Sequence, residues 1–548
     1  MSKIKIFSLG GLNEDGKNMY VVEVDDDIFV FDAGLKYTDD SLFGIDYIIP
    51  DISYLKKRIK KVQGIFITHG HDENVGALPE IIKVIPEIKV YGTKFTLDII
   101  KKMLEEDKVK TDNLIPLYAH RKIDFGKNSV FPISLTHSIP DNVGYVLNTE
   151  DGAIFYTGNF VFDTTMMGPY KTDIGKLAYV GKQGVLCLLS ESLYAERSGF
   201  TSPHHRISSL IRETLDKKKN RIVFNVVSAN MYRVQELFTE LVKTDRKVVI
   251  MGKRLQSMIN NLIDRCYLKI NKNKIGTLSN INDEDIVILI ASEYERPLSN
   301  LNRIVKGYDK FIKIKETDTV VFLEPVKDGE QRLFVFISDE ISRLGGDVIT
   351  LSKEKHLLHH ASREDLLLML DLIKPKYYFP VIGQYRYQVA NAKIALKMGM
   401  KEENILLKLN GEVVSIEKGL LKETNQKVSV DDVLIDGTSI GDIGELVLKD
   451  REMLSTNGIV IVIVSLNKIT KEILAGPEIL TRGFIYVKEN IDLIKEIKEE
   501  SLKVIKKNIK NKYVDFTKIK VGIRDEVGRF LYKKTESRPM IITVVLEV

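Results

Sequence analysis

The sequence predicts a multidomain α/β chain, and three observations predict it. Residues 1 to about 203 alternate short β-branched runs with turns and helical stretches, the pattern of two packed sheets with outer helices. Near Ser202 and Pro203 this gives way to regular β/α alternation, which reads as an inserted parallel sheet. A separate αβ unit closes the chain from about residue 446. At 548 residues the chain is too long for one core; about 150 residues per domain gives three or four domains' worth of sequence.

The elements follow in order. Helical stretches are predicted from Ala77 to Val84 and from Leu97 to Leu104. The insert reads as helix Ile207 to Leu215, strand Arg221 to Val227, helix Val234 to Val242 and strand Lys247 to Met251, ending near Leu351. Residues from about 354 return to the first domain, with a helix from Asp365 to Leu372 and a strand from Tyr377 to Ile382. The polar segment Lys422 to Ser429 reads as a linker. Strand Gly458 to Ser465, helix Asp492 to Ile509 and strand Met540 to Leu546 make the last unit. In that helix Leu493, Ile494, Ile497, Leu502, Ile505 and Ile509 recur at roughly helical spacing, which reads as a core-facing stripe.

Apolar content of 44% and charged content of 29% describe an ordinary globular protein and exclude a disordered or fibrous one. The net charge of +5 is small for this length and does not by itself imply nucleic-acid binding. No long uncharged apolar run is present, and the first residues lead directly into strand-like sequence, so the expected location is the cytoplasm, with no membrane. Cys187 and Cys266 are far apart in apolar runs, so neither a disulfide framework nor a cysteine zinc site is expected; both are read as buried thiols.

The chemistry concentrates in Ile65-Phe66-Ile67-Thr68-His69-Gly70-His71-Asp72-Glu73-Asn74. An apolar β-rich run ends in Thr68, and His-x-His follows, so two imidazoles leave a strand end toward one point, a spacing suited to a divalent metal. Upstream stand Phe7 to Tyr20 and Asp27 to Gly34; downstream stand Thr136 to Asp141, Tyr156 to Phe160, Leu189 to Ser192, Ala195 to Gly199 and Lys374 to Arg386. In this order and spacing the chain resembles ribonuclease J, the bacterial β-CASP exo- and endoribonuclease of the metallo-β-lactamase class. The likeness runs end to end and includes Ile440 to Gly444, Ala475 to Pro477, Arg482 to Phe484 and Arg538 to Met540. It implies a metallo-β-lactamase αββα sandwich with an inserted β-CASP domain and a small C-terminal α/β domain. The expected limits are 1–203 and 354–425 for the sandwich, 204–353 for the insert, 426–445 for a linker and 446–548 for the last domain.

What the resemblance implies about the site is specific. The first ion of the family would fall to His69, His71 and His137, with Asn159 where the bridging Asp belongs. The second would fall to Glu73, Asn74, Asn159 and Ile382, where the family has Asp, His, Asp and His. Two-metal hydrolysis needs ions about 3.5–4 Å apart. A neutral amide and an alkyl group cannot offset or ligate them, so at most one zinc or manganese ion is expected, and none is the alternative. The phosphate-gripping segment His-x-Ser-Gly-His-x-Ser is here His356-Leu357-Leu358-His359-His360-Ala361-Ser362. His356, His359, His360 and Ser362 are the candidate RNA phosphate contacts, and Glu73 and His356 the candidate catalytic groups. Ala291 to Pro297 departs from the family's Gly-Ser-Gln-Gly-Glu-Pro loop. The implied function is RNA processing and mRNA decay by a catalytically impaired subunit, paired with an active ribonuclease J or with itself as a dimer. Alternatives are a weakly active metal-dependent 5′→3′ exo- and endoribonuclease and an RNA-binding module without catalysis.

Overall fold

The computed structural model describes residues 2–548 except 39–43, 167, 228, 269, 293–297, 327–328, 438, 441–444, 468, 471, 486–489 and 510–514. The departure at 293–297 and the tail motif at 441–444 therefore lie outside the described residues. The chain forms two compact units, Met1–Tyr37 with Tyr47–Val433, and Thr38–Asp46 with Leu434–Val548.

In the first unit an eight-stranded sheet runs in the order Leu420–Lys422, Val414–Glu417, Lys3–Gly10, Met19–Val24, Asp27–Phe31, Val62–Phe66, Val90–Gly92, Leu114–Pro116. A six-stranded sheet runs Tyr377–Pro380, Val185–Ser190, Gly152–Tyr156, Val143–Thr149, Asn128–Ser134, Ile123–Phe125. Alternate residues of each strand meet in one core: Ile4, Ile6, Phe29 and Phe66 of the first sheet pack with Val130, Tyr145, Ile154, Tyr156 and Leu189 of the second. That alternation is what a strand with one face against another sheet requires. The opposite face of the six-stranded sheet, with Val146, Phe155, Leu188 and Tyr378, is covered by helices Ile174–Gln183, Arg363–Ile373 and Tyr385–Lys397 through Leu177, Met369 and Ile394. This is a sandwich of two sheets with outer helices.

The insert carries a five-stranded sheet in the order Val248–Met251, Val287–Ser292, Ile222–Val227, Thr319–Phe322, Asp347–Ile349, with every pair parallel. Its strands are apolar on both faces, as parallel strands are. Ile222, Phe224, Val287 and Leu289 pack against helices Ser208–Lys217, Met231–Leu241 and Lys253–Asp264. Val223, Ile288, Ile290 and Val320 pack against helices Ser299–Val305 and Gln331–Arg343. Cys187 is buried as expected, but Cys266 is exposed. The helix ends at Asp264, the chain turns out through Cys266 at φ +57°, and it is Leu268 that points inward.

The second unit sets strand Ile459–Leu466 between antiparallel Ile473–Arg482 and parallel Met540–Glu547. Helices Ile491–Ile509 and Phe516–Thr535 cover one face with Ile497, Val504, Ile505, Ile519, Ile523, Val527 and Leu531. The buried stripe of the first of these helices uses Ser501 and Val504 rather than Leu502. The segment expected to be a linker contains a strand, Asp432–Asp436.

Candidate metal centre

Strand direction gathers the site. Strands ending at Phe31 and Phe66 are parallel neighbours in one sheet, and those ending at Tyr156, Ser190 and Pro380 are parallel neighbours in the other. Their C-terminal ends deliver Asp32, His69 and His71, Asn159, Glu191 and Ile382 to one edge of the sandwich. The strand ending at Ser134, two places from Gly152–Tyr156 through an antiparallel neighbour, adds His137.

The loop carrying His71 to Asn74 docks on its neighbour through backbone hydrogen bonds. Ala33 donates to the Asn74 carbonyl at 2.7 Å, Leu35 to that of Asp72 at 3.0 Å, and Asn18 to that of Glu73 at 3.1 Å. Gly34 makes this approach possible, because a Cβ there would sit 1.6 Å from the Glu73 carbonyl oxygen. Asp72 turns away from the loop and takes Arg254 at 2.5 and 3.1 Å and the Tyr37 hydroxyl at 2.8 Å.

His69, His71 and His137 are buried, and one ring nitrogen from each lies within 4.8 Å of the others. Their partners orient the rings. Thr68 Oγ1 lies 3.0 Å from both oxygens of Asp32, so the hydroxyl donates there and accepts from His69 Nδ1 at 2.9 Å. His71 Nε2 faces the Ala229 carbonyl at 3.2 Å, and His137 Nδ1 faces the His359 carbonyl at 2.7 Å; a carbonyl only accepts, so both nitrogens carry the proton. His69 Nε2 is buried with no partner, and His137 Nε2 lies 3.3 Å from His71 Nδ1. Burial first, and then the neighbouring imidazoles, holds His69 and His137 well below the usual histidine range. Neutral imidazoles, each oriented through its other nitrogen, are what a metal ligand requires. The donor set therefore fits one metal ion.

The positions for a second ion are otherwise engaged. Asn74 Nδ2 donates to Asp32 Oδ2 at 2.7 Å, where Tyr156 also donates at 2.7 Å. Asn159 Nδ2 lies 3.3 Å from Glu191 Oε2 and 3.1 Å from His360 Nδ1, and its Oδ1 is buried without a partner. Ile382 sits in the core between the sheets, its amide donating to the Tyr20 hydroxyl at 3.1 Å. It does so at φ +56°, a rare conformation for a β-branched residue. Glu73 Oε1 is 3.3 Å from His71 Nδ1.

The candidate phosphate contacts do not form one cluster. His356 Nδ1 faces the Ser352 carbonyl at 3.3 Å. His359 is fully buried against His205 and Tyr232, with ring centroids 4.7 and 5.3 Å away. Ser362 bonds Thr201 through its hydroxyl at 2.7 Å and Asp365 through its amide at 3.1 Å, opening helix Arg363–Ile373. His360 pairs with buried Glu191 at 3.0 Å. Burial lowers the affinity of this imidazole for a proton, but the Glu191 charge and hydrogen bond outweigh that and raise it above the ordinary range. Sequence reasoning assigned no role to Asp32, Thr68 or Glu191, although all three lie in the motifs that carried the resemblance.

A two-sheet sandwich with a histidine cluster at its edge defines the metallo-β-lactamase class, and the Metallo-beta-lactamase superfamily model matches residues 12–181. The model for the Ribonuclease J beta-CASP domain matches residues 219–337, and that for the Ribonuclease J C-terminal domain matches 446–548. The chain is 38% identical to Ribonuclease J2 of Bacillus subtilis, over all of this chain and 99% of that one. It is 34% identical to Ribonuclease J 2 of Staphylococcus epidermidis, over all of this chain and 98% of that one. The chain belongs to the ribonuclease J family, a family of RNA processing. A crystal structure of an Enterococcus faecalis protein of unknown function shares the fold, with TM-score 0.52 and 17% identity over 76% of this chain and all of that one. Among the described residues no helix is long and apolar enough to cross a membrane.

Proposed function

We propose that this chain is an RNA-binding subunit of RNA processing and decay, with little hydrolysis of its own, working in the cytoplasm beside a catalytically complete ribonuclease J or as a homodimer. One observation carries the reading: His69, His71 and His137 bring ring nitrogens within 4.8 Å of one another, while the positions expected to serve a second ion hold the uncharged Asn74, Asn159 and Ile382. A bound zinc or manganese ion would supply a Lewis acid. The chain's own part is to hold three imidazoles in place through Asp32 with Thr68, Ala229 and the His359 carbonyl. Without a charged bridging group near the reacting phosphate, stabilisation of developing charge falls by ~2.7–4 kcal/mol for each group missing, or roughly two to three decades in rate.

Support for a partner comes from the second unit. The second unit's sheet exposes Leu480 and Ile542 on either side of Ile461, and Leu546 further along the same strand as Ile542, each 41–54% exposed. The test is decay of 5′-monophosphorylated RNA by the purified chain, alone and with a catalytically complete relative. Slow decay alone and a changed rate or product pattern in the mixture are expected. Robust processive decay by the chain alone, surviving stringent purification, overturns the reading in favour of an active nuclease.

A further inference from the structure

We propose that the exposed loop between helix Ser299–Val305 and strand Thr319–Phe322 is a second contact for single-stranded RNA, remote from the histidine cluster. The inference rests on the reading of the chain as an RNA-binding subunit and names a further place on its surface where the RNA lies. The loop reads Lys306-Gly307-Tyr308-Asp309-Lys310-Phe311-Ile312-Lys313-Ile314-Lys315, four lysines with a single acid. Asp309 is taken up within the turn, where it accepts from the amides of Phe311 at 2.9 Å and Ile312 at 3.1 Å. Beyond the turn the side chains divide. Ile312 and Ile314 enter the core on the outer face of the insert's sheet, while Phe311 and Lys313 stand out between them. Tyr308 is 71% and Phe311 58% exposed, and among the described residues neither ring lies against another ring or a cation. Phe336, on helix Gln331–Arg343, is also exposed, and Lys306 Nζ lies over its ring at 5.3 Å.

A single apolar side chain on a surface needs no explanation. Aromatic rings set among lysines that no carboxylate neutralises do need one, and among the described residues Lys306, Lys310 and Lys313 make no ion pair. Two kinds of partner fit exposed rings. The core of a protein–protein interface is depleted in lysine. A single strand of nucleic acid instead offers phosphates to the lysines and unpaired base faces to the rings, and stacking of this kind tolerates any sequence. The interleaved lysines therefore favour RNA. Strand Thr319–Phe322 is parallel to Ile222–Val227, whose C-terminal end leads to Ala229 and so to His71. The loop enters Thr319 from the other end, which sets it at the opposite end of the insert's strands, roughly 20 Å away at ~3.3 Å per residue. One strand occupies both places only if it is long.

Fluorescence anisotropy with the full-length chain tests this, using an oligouridylate of roughly 30 nucleotides, well beyond the site size of one binding module, and an RNA duplex of the same length. Tyr308→Ala with Phe311→Ala is expected to weaken binding of the single strand roughly tenfold or more and to leave the duplex, whose bases are already stacked, nearly as before. Lys310→Gln with Lys313→Gln is expected to lower the slope of log affinity against log salt by about 1.4, at about 0.7 for each single-strand phosphate contact. All four side chains are exposed, so both double variants should melt with the wild type. Tyr179→Ala, which removes an exposed ring on helix Ile174–Gln183, is the control and should bind as the wild type does. Unchanged single-strand affinity and salt slope in the two double variants would overturn the assignment while leaving the RNA-binding reading intact. Equal weakening of the duplex, or loss of self-association with RNA affinity unchanged, would overturn it as well, the second outcome assigning the loop to a protein partner. Failure of the wild-type chain to bind the single strand at all would sink the RNA-binding reading itself and this proposal with it.

Discussion

Asp32 is the residue on which the site's order depends. Fully buried, it accepts from Thr68 N at 2.8 Å, Thr68 Oγ1, Asn74 and Tyr156, and burial pushes its carboxyl up to about 6 against those bonds. A carboxyl raised on folding binds more protons folded than unfolded between pH 4 and 6, so its contribution to stability falls as pH rises through that window. Asp32→Asn should therefore destabilise the chain, with a gap to wild type that narrows from pH 4 to pH 6 in urea titrations; a constant gap would contradict the account. The Glu191 and His360 pair runs the same way. A histidine raised on folding stabilises fully below its unfolded value, and the gain fades as pH climbs through the folded one. Glu191→Gln leaves a buried imidazolium without its counter-charge and should cost ~3–5 kcal/mol at pH 6, less at pH 8, measured by the same titrations. At this scale the meeting of His69, His71 and His137 was legible from spacing and motif. The groups that orient them were not, because a backbone carbonyl such as that of Ala229 or His359 leaves no trace in residue type.

Whole elements were legible where periodicity was strong. The insert's first two helices and first two strands fall within a few residues of the pattern, since parallel strands buried on both faces read as unbroken apolar runs. Helix Phe516–Thr535 was not anticipated. Its buried residues Ile519, Ile523, Val527 and Leu531 form a narrow stripe among charges, and Gly522 and Gly528 weaken its local propensity. Gly522 has a packing reason: a Cβ there would come within 2.9 Å of Val504 on the neighbouring helix. Gly522→Leu should therefore force these helices apart and lower stability by ~1–3 kcal/mol, detectable by thermal melting; an unchanged melting temperature would refute close helix contact. The loop holding His71 to Glu73 makes a sharper case. Gly34→Ala drives a methyl group into the Glu73 carbonyl and should both destabilise the chain and weaken metal binding. Equal metal affinity in that variant would show that the docking of the loop does not set the site.

At the scale of the molecule, two-sheet sandwich, parallel insert and C-terminal sheet follow from changes of pattern along the chain, whereas the surface the chain offers a partner does not. Burial and exposure alternate along the strand Ile473–Arg482 as over an ordinary core, and only the structure shows that Leu480, Ile542 and Leu546 stand exposed. If these residues join two chains, Ile542→Glu with Leu546→Glu should shift sedimentation from dimer toward monomer, and an unshifted dimer would place the interface elsewhere. A stable interface buries at least ~1,200 Å² in total. The proposal at the centre of the account is that the fold holds one ion on His69, His71 and His137 and has no place for a second. Metal stoichiometry tests it most directly: after saturation with zinc or manganese and removal of loosely held ions, elemental analysis of the full-length chain should level off at no more than one ion per chain. A plateau at two tightly held ions would contradict it.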